Sequence, residues 1–109
     1  NIISKSTQVP SLAVLKLFGP SNNNYLSFPT KGYTLALDFK NHANLFPLLD
    51  KLDKIVMDNG GRVYLAKDAR IKGQNFQLGY KDLKHFCKLR KQYNLNTKFQ
   101  SYQSKRLGL

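Results

Sequence analysis

The stretch "YTLALDF", residues 33–39, sets Tyr33, Leu35, Leu37 and Phe39 on one side and Thr34, Ala36 and Asp38 on the other. That two-residue period belongs to a β-strand with one bulky face and one small, polar face. Upstream, "LAVLKLF", residues 12–18, divides into Ala13, Leu15 and Leu17 against Leu12, Val14, Lys16 and Phe18. Between them "GPSNNN", residues 19–24, concentrates the residue types that favour turns, so the two strands are expected to pair antiparallel.

Downstream, Leu45, Leu48, Leu49, Leu52, Ile55 and Val56 recur at helical spacing, with Asp50, Lys51, Asp53, Lys54 and Asp58 opposite. Asn44 is placed to cap this helix, Pro47 is tolerated in its first turn, and Asp50 and Lys54 are spaced to pair. Gly60 or Gly61 is expected to end it in the left-handed region. "RVYL", residues 62–65, then predicts a third strand, and Phe76 to Tyr80 an apolar-spotted turn. A second amphipathic helix is expected from about Asp82 to Tyr93, with Leu83, Phe86, Cys87 and Arg90 along its inner stripe. Residues 96–109 lack periodicity and predict an extended tail. The fold class is α+β: an antiparallel sheet with helices on one face, the bulky Tyr33, Leu35, Leu37 and Phe39 side meeting them.

The chain has 109 residues, enough for one modest core, and 41% hydrophobic content argues against disorder. It opens on Asn1 rather than methionine, which predicts a piece of a longer protein. Eighteen lysines and arginines face six aspartates and no glutamate, a net charge of +12 that attracts anionic partners without choosing among them. Lysine outnumbers arginine 14 to 4, which weakens a case for base-specific recognition. A single cysteine excludes an internal disulfide and fits a reducing compartment. No signal peptide and no apolar run of roughly 18 residues is present, so the expected location is cytoplasmic or peripheral at a membrane. His42 and His85 have no metal-ligand spacing, and no phosphate-cradling glycine loop or Ser-His-Asp set occurs.

Among groups with chemistry, Cys87 reads as a small core residue, His85 as a solvated helix residue and His42 as a loop residue. Lys67 follows the third expected strand, where its side chain can lean over the small-residue face toward Lys16, Thr34 and Asp38; a solvated loop lysine fits the same spacing. Asp38 interrupts an apolar strand on that face. With Tyr33 and Phe39 assigned to the helix side, an aromatic platform for RNA is disfavoured.

"AVLKLFGPSN", "LSFPTKGYTLALDF", "LLDKLDKIVMDNGGRVYLAKDAR" and the closing "SKRLGL" together resemble the C-terminal part of FAD-linked oxidoreductases of the vanillyl-alcohol oxidase superfamily. The resemblance runs from about Pro10 to Leu109, and is strongest to the branch that oxidises a polyprenyl-phosphoryl ribose. It implies a ferredoxin-like cap-domain fragment, with residues 1–74 the end of the substrate domain and 75–109 a helix and tail returning to an FAD-binding domain in cis or on a separate chain. FAD would be held mainly by that other domain. Lys67 of "YLAKD" matches a catalytic and cofactor-contacting lysine beside the flavin; Lys16, Phe18, Thr34 and Ala36 match substrate-pocket positions, with Thr34 and Ala36 where relatives carry Asn and Cys. Asp38 joins them as a substrate-side candidate. Near the end, Tyr102 and Gln103 stand where Asp and Leu are common in the family. The implied substrate is a polyprenyl-phosphoryl sugar or, as in the aldonolactone oxidases of the superfamily, a sugar lactone, with an epimerase or reductase as a possible partner and peripheral membrane contact. Outside enzymes, the composition fits a stand-alone basic α+β module for nucleic acid or acidic lipid.

Overall fold

A computed structural model describes residues 2–109. Strands β1 (Leu12–Phe18) and β2 (Gly32–Asp38) form an antiparallel hairpin in the register Leu12↔Asp38 through Phe18↔Gly32. Ser11 extends the ladder, its N–H donating to Asp38 O at 2.7 Å. Among the described residues five helices follow: α1 (Leu45–Asp58), α2 (Gly73–Gly79), α3 (Leu83–Gln92), α4 (Leu95–Lys98) and α5 (Tyr102–Leu107). One turn of 3-10 helix, Leu65–Lys67, lies between α1 and α2. The α+β class and the antiparallel pairing are as expected.

The expected third strand is absent among the described residues. Residues 62–64 join no ladder, and side chains meet the carbonyls of Val63 and Leu65. Tyr80 donates its hydroxyl to Val63 O at 2.8 Å, and Gln103 donates to Leu65 O at 2.7 Å. Arg62 reaches back to Ser27 O and lies over the Tyr80 ring.

The core sits in the helical half, not under the sheet. Ile71, Phe76, Tyr80, Leu83 and Leu107 are its buried centre, with Leu26, Val63, Leu65, Phe86, Cys87 and Leu109 packed around it. Cys87 and the α3 stripe therefore face inward as expected, whereas Phe76 to Gly79 belong to α2, with Tyr80 just past its end, and the C-terminal segment is not an extended tail. Leu107 carries α5 into the core.

The bulky hairpin face does not meet a helix. Leu15, Leu17, Tyr33 and Leu35 are 65%, 71%, 75% and 54% exposed. The opposite face is the better covered one, through Val14, Phe18, Thr34 and Ala36. Phe18 packs edge-on against Phe28 at 5.8 Å between centroids, and Phe28 leans on Tyr64 at 4.7 Å. These rings tie the hairpin to the segment leading into Lys67.

Helix α1 begins after Asn44, whose side chain makes no capping bond, and ends at Gly60 with φ 68°, a conformation that suits glycine. Its charged face is less solvated than the spacing suggests. Asp53 is 5% exposed, and the Asp50–Lys54 pair gives way to Lys54–Asp58 at 2.8 Å. Asp50 and Asp53 turn instead to Arg70, each at 2.8 Å, and Lys72 joins Asp50 at 3.2 Å. Arg70 offers a planar fork that two carboxylates can share, which a lysine four residues along the helix does not.

Candidate functional site

Residues directly opposite each other in an antiparallel ladder share a face. The register pairs Lys16 with Thr34, Val14 with Ala36, Phe18 with Gly32 and Leu12 with Asp38. Lys16, Phe18, Thr34, Ala36 and Asp38 are therefore co-facial. Lys16 and Asp38 are exposed at its rim, while Phe18, Thr34 and Ala36 are half-buried. The face combines one cation, one carboxylate, one hydroxyl and an aromatic wall, donors and acceptors suited to a polar ligand with an apolar body.

Lys67 is the last residue of the 3-10 turn and is exposed. Among the described residues no ion pair or hydrogen bond joins its ammonium to Lys16, Thr34, Asp38 or any other group. Its neighbours, by contrast, are densely bonded. Asp68 Oδ1 accepts from the N–H groups of Arg70 and Ile71 at 2.9 and 2.7 Å, and Oδ2 accepts from Arg106 at 2.6 Å. Burial pushes the Asp68 carboxyl up, but the bonds from Ile71 and Arg70 and the charge and bond of Arg106 outweigh it, holding it below its ordinary 3.8. Tyr80 goes the other way. Burial raises its phenol to about 12, opposed in part by the Arg62 charge and assisted by Asp68 and Tyr64.

All four arginines are bridges. Arg62 joins Ser27 O, Arg70 joins Asp50 and Asp53, Arg90 joins Leu95 O and Phe99 O, and Arg106 joins Asp68 and Ile71 O. In a chain that uses lysine for most of its positive charge, arginine survives where a fork of donors is needed. That scarcity was the available sequence signal for the Asp68–Arg106 junction, which the spacing of charges alone missed.

A shallow depression of about 690 Å³ is bounded by residues 22–29 with Tyr64, Phe86 and Leu89. Its asparagine rim and open mouth suit a surface contact more than an enclosed cofactor. No group of three or more metal-ligating side chains occurs among the described residues, and no helix there is long and apolar enough to cross a membrane. Nor do the described residues form a glycine-rich cradle for a dinucleotide pyrophosphate. Lys67 presents its ammonium to solvent at the end of the 3-10 turn. Tyr33 is exposed, contrary to its expected helix-side position, yet it stands among leucines with no base-stacking partner beside it.

Over 107 residues the chain is 36% identical to decaprenylphosphoryl-β-D-ribose oxidase of Mycolicibacterium smegmatis, a match covering 98% of this chain and 23% of that protein. Over 97 residues it is 39% identical to a Streptomyces coelicolor protein described as an uncharacterized protein in the mprA 5′ region, covering 88% of this chain and 26% of that one. The chain thus spans about a quarter of the length of these curated relatives. No family model matches it.

Proposed function

We propose that the chain is the C-terminal, substrate-domain part of an FAD-dependent oxidoreductase that oxidises a secondary alcohol of a sugar, in the class of polyprenyl-phosphoryl ribose. The observation that carries this reading is the likeness of nearly the whole chain to about a quarter of an oxidase, 36% over 107 residues. The uncovered apolar face of the hairpin supports it, because Leu15, Leu17, Tyr33 and Leu35 form a surface that the remaining polypeptide would bury. When bound, the flavin supplies the acceptor for the hydride.

In this reading Lys67 would lie beside the bound flavin and its ammonium would offer a positive charge to the hydride acceptor. A preorganised cation there lowers the barrier by a few kcal/mol, of order 3. Lys16 orients an anionic or hydroxyl group of the substrate, Phe18 supplies an apolar wall, Thr34 and Asp38 hydrogen-bond sugar hydroxyls, and Ala36 leaves room. The other domain holds most of FAD.

The test uses the longer protein loaded with FAD. Lys67→Ala is expected to leave folding intact and slow single-turnover flavin reduction about a hundredfold or more. Reduction at the wild-type rate rejects the role.

A second reading, a basic module for an anionic polymer or surface, is favoured by one feature: Lys81, Lys84, Lys88 and Lys91 are all exposed along α3 and the turn before it. It requires RNA or acidic-vesicle binding by the 109 residues that falls steeply with salt.

A further inference from the structure

The backbone beneath Lys67 is held by α5. Gln103 Nε2 donates to Leu65 O at 2.7 Å and to Asp68 O at 3.4 Å, so one amide bridges carbonyls on either side of Lys67. Leu65 O already accepts from Asp68 N at 3.2 Å, the bond that closes the turn. At Leu65, Gln103 therefore rescues no orphaned acceptor; its effect there is to fix the geometry of a carbonyl that is satisfied without it. Three residues on, and so on the same side of the helix, Arg106 grips Asp68 Oδ2 and Ile71 O.

The helix that supplies both groups is itself fixed. Ser101 and Ser104 form a reciprocal capping box, Gly108 ends the helix at φ 77°, and Leu107 is buried in the core. The Asp68 side chain is only 3% exposed between these partners. The bonds hold the chain on both sides of Lys67, so the point from which its side chain leaves the backbone is fixed by α5.

We infer that α5 is a clamp that fixes the backbone from which the Lys67 side chain projects, with Gln103 and Arg106 as positioning residues for it. The inference rests on the flavin reading of Lys67, and it predicts that the C-terminal helix controls how well the charge is placed without touching substrate.

The experiment uses the FAD-loaded longer protein and two readouts. Gln103→Met keeps side-chain length while removing the donors, and Arg106→Lys keeps charge while losing the fork. Tyr102→Ala is the control, its ring being 95% exposed on the same helix. Backbone amide exchange at Asp68 should quicken about fivefold in Gln103→Met, the loss expected for one hydrogen bond, with exchange in α3 unchanged. Flavin reduction should fall about tenfold at unchanged half-saturating substrate, as expected for a misaimed group. Arg106→Lys should move both readouts the same way, and Tyr102→Ala neither. Unchanged Asp68 exchange in both clamp variants overturns the inference whatever the protein catalyses. Quickened exchange with wild-type reduction, in a protein where Lys67→Ala is slow, overturns the positioning role alone. Quickened exchange where Lys67→Ala is also fast overturns the flavin reading, and the purpose of the clamp with it.

Discussion

Leu15 stands directly opposite Leu35 across the β1–β2 ladder, and both are more than half exposed. Each would contribute about 1.5–3 kcal/mol if covered. The 109-residue chain alone is therefore expected to self-associate and to bind an apolar dye such as ANS. Leu15→Thr with Leu35→Thr should leave it monodisperse in sedimentation and change its urea stability by less than about 0.5 kcal/mol. The same pair in the longer protein should cost about 3 kcal/mol or more. A wild-type chain that stays monomeric and dye-free, with its hairpin intact, would contradict an uncovered apolar face.

Asp68 links the Lys67 turn to α5 through a carboxylate held below its ordinary pKa of 3.8. A depressed carboxyl stabilises the fold fully above its unfolded value, and that contribution is lost as pH falls through the lower folded value. Asp68→Asn, leaving Arg106 without its anion, should lower stability by about 3 kcal/mol at pH 7. The difference from wild type should shrink below about pH 4, where the unfolded carboxyl protonates first. Urea titrations of both proteins at pH 7 and pH 3 measure it; a pH-independent difference would assign the loss to packing.

Tyr80 behaves oppositely at high pH. Its phenol, raised to about 12, stays protonated in the fold while the unfolded phenol ionises near 10. Stability is fully present below about pH 10 and falls as pH rises through 12, by of order 2 kcal/mol across that window. Tyr80→Phe removes this slope but leaves Val63 O without its donor, so it should be less stable at pH 7 and flatter above pH 10. Phenolate absorbance during alkaline unfolding follows the titration directly.

The hairpin and the two long helices were legible because their signals are local: a two-residue period in residues 33–38, a helical period through Val56, a glycine stop. The co-facial set of Lys16, Phe18, Thr34, Ala36 and Asp38 follows from the same period once the register is known. Which hairpin face is covered was not legible, since bulk alone does not say whether the covering layer lies within these residues. The strand assigned to residues 62–65 did not form: Leu65 already turns into the 3-10 helix, and Val63 O and Leu65 O meet side chains distant in sequence. Helix α5 was hidden by its length and by a capping box built on Ser104, where the usual signature has Glu or Gln. The support of Lys67 by Gln103 and Arg106 lies across 35 residues or more of chain, beyond any spacing rule.

Phe76 and Leu17 test where the stability of this chain resides. Phe76 is fully buried at the centre of the helical core, whereas Leu17 lies on the open hairpin face opposite Tyr33. Phe76→Ala should cost about 3–5 kcal/mol, a large part of what a domain this small has in total, and leave it largely unfolded. Leu17→Ala removes a side chain that gains little burial in these residues, so it should cost under about 0.5 kcal/mol in the 109-residue chain. In the longer protein the two costs should converge as Leu17 becomes buried, with Leu17→Ala rising to about 2–4 kcal/mol. Denaturant titration of four proteins, each substitution in each chain, decides it: if Leu17→Ala is equally mild in both, the hairpin face is not an internal contact of the complete molecule.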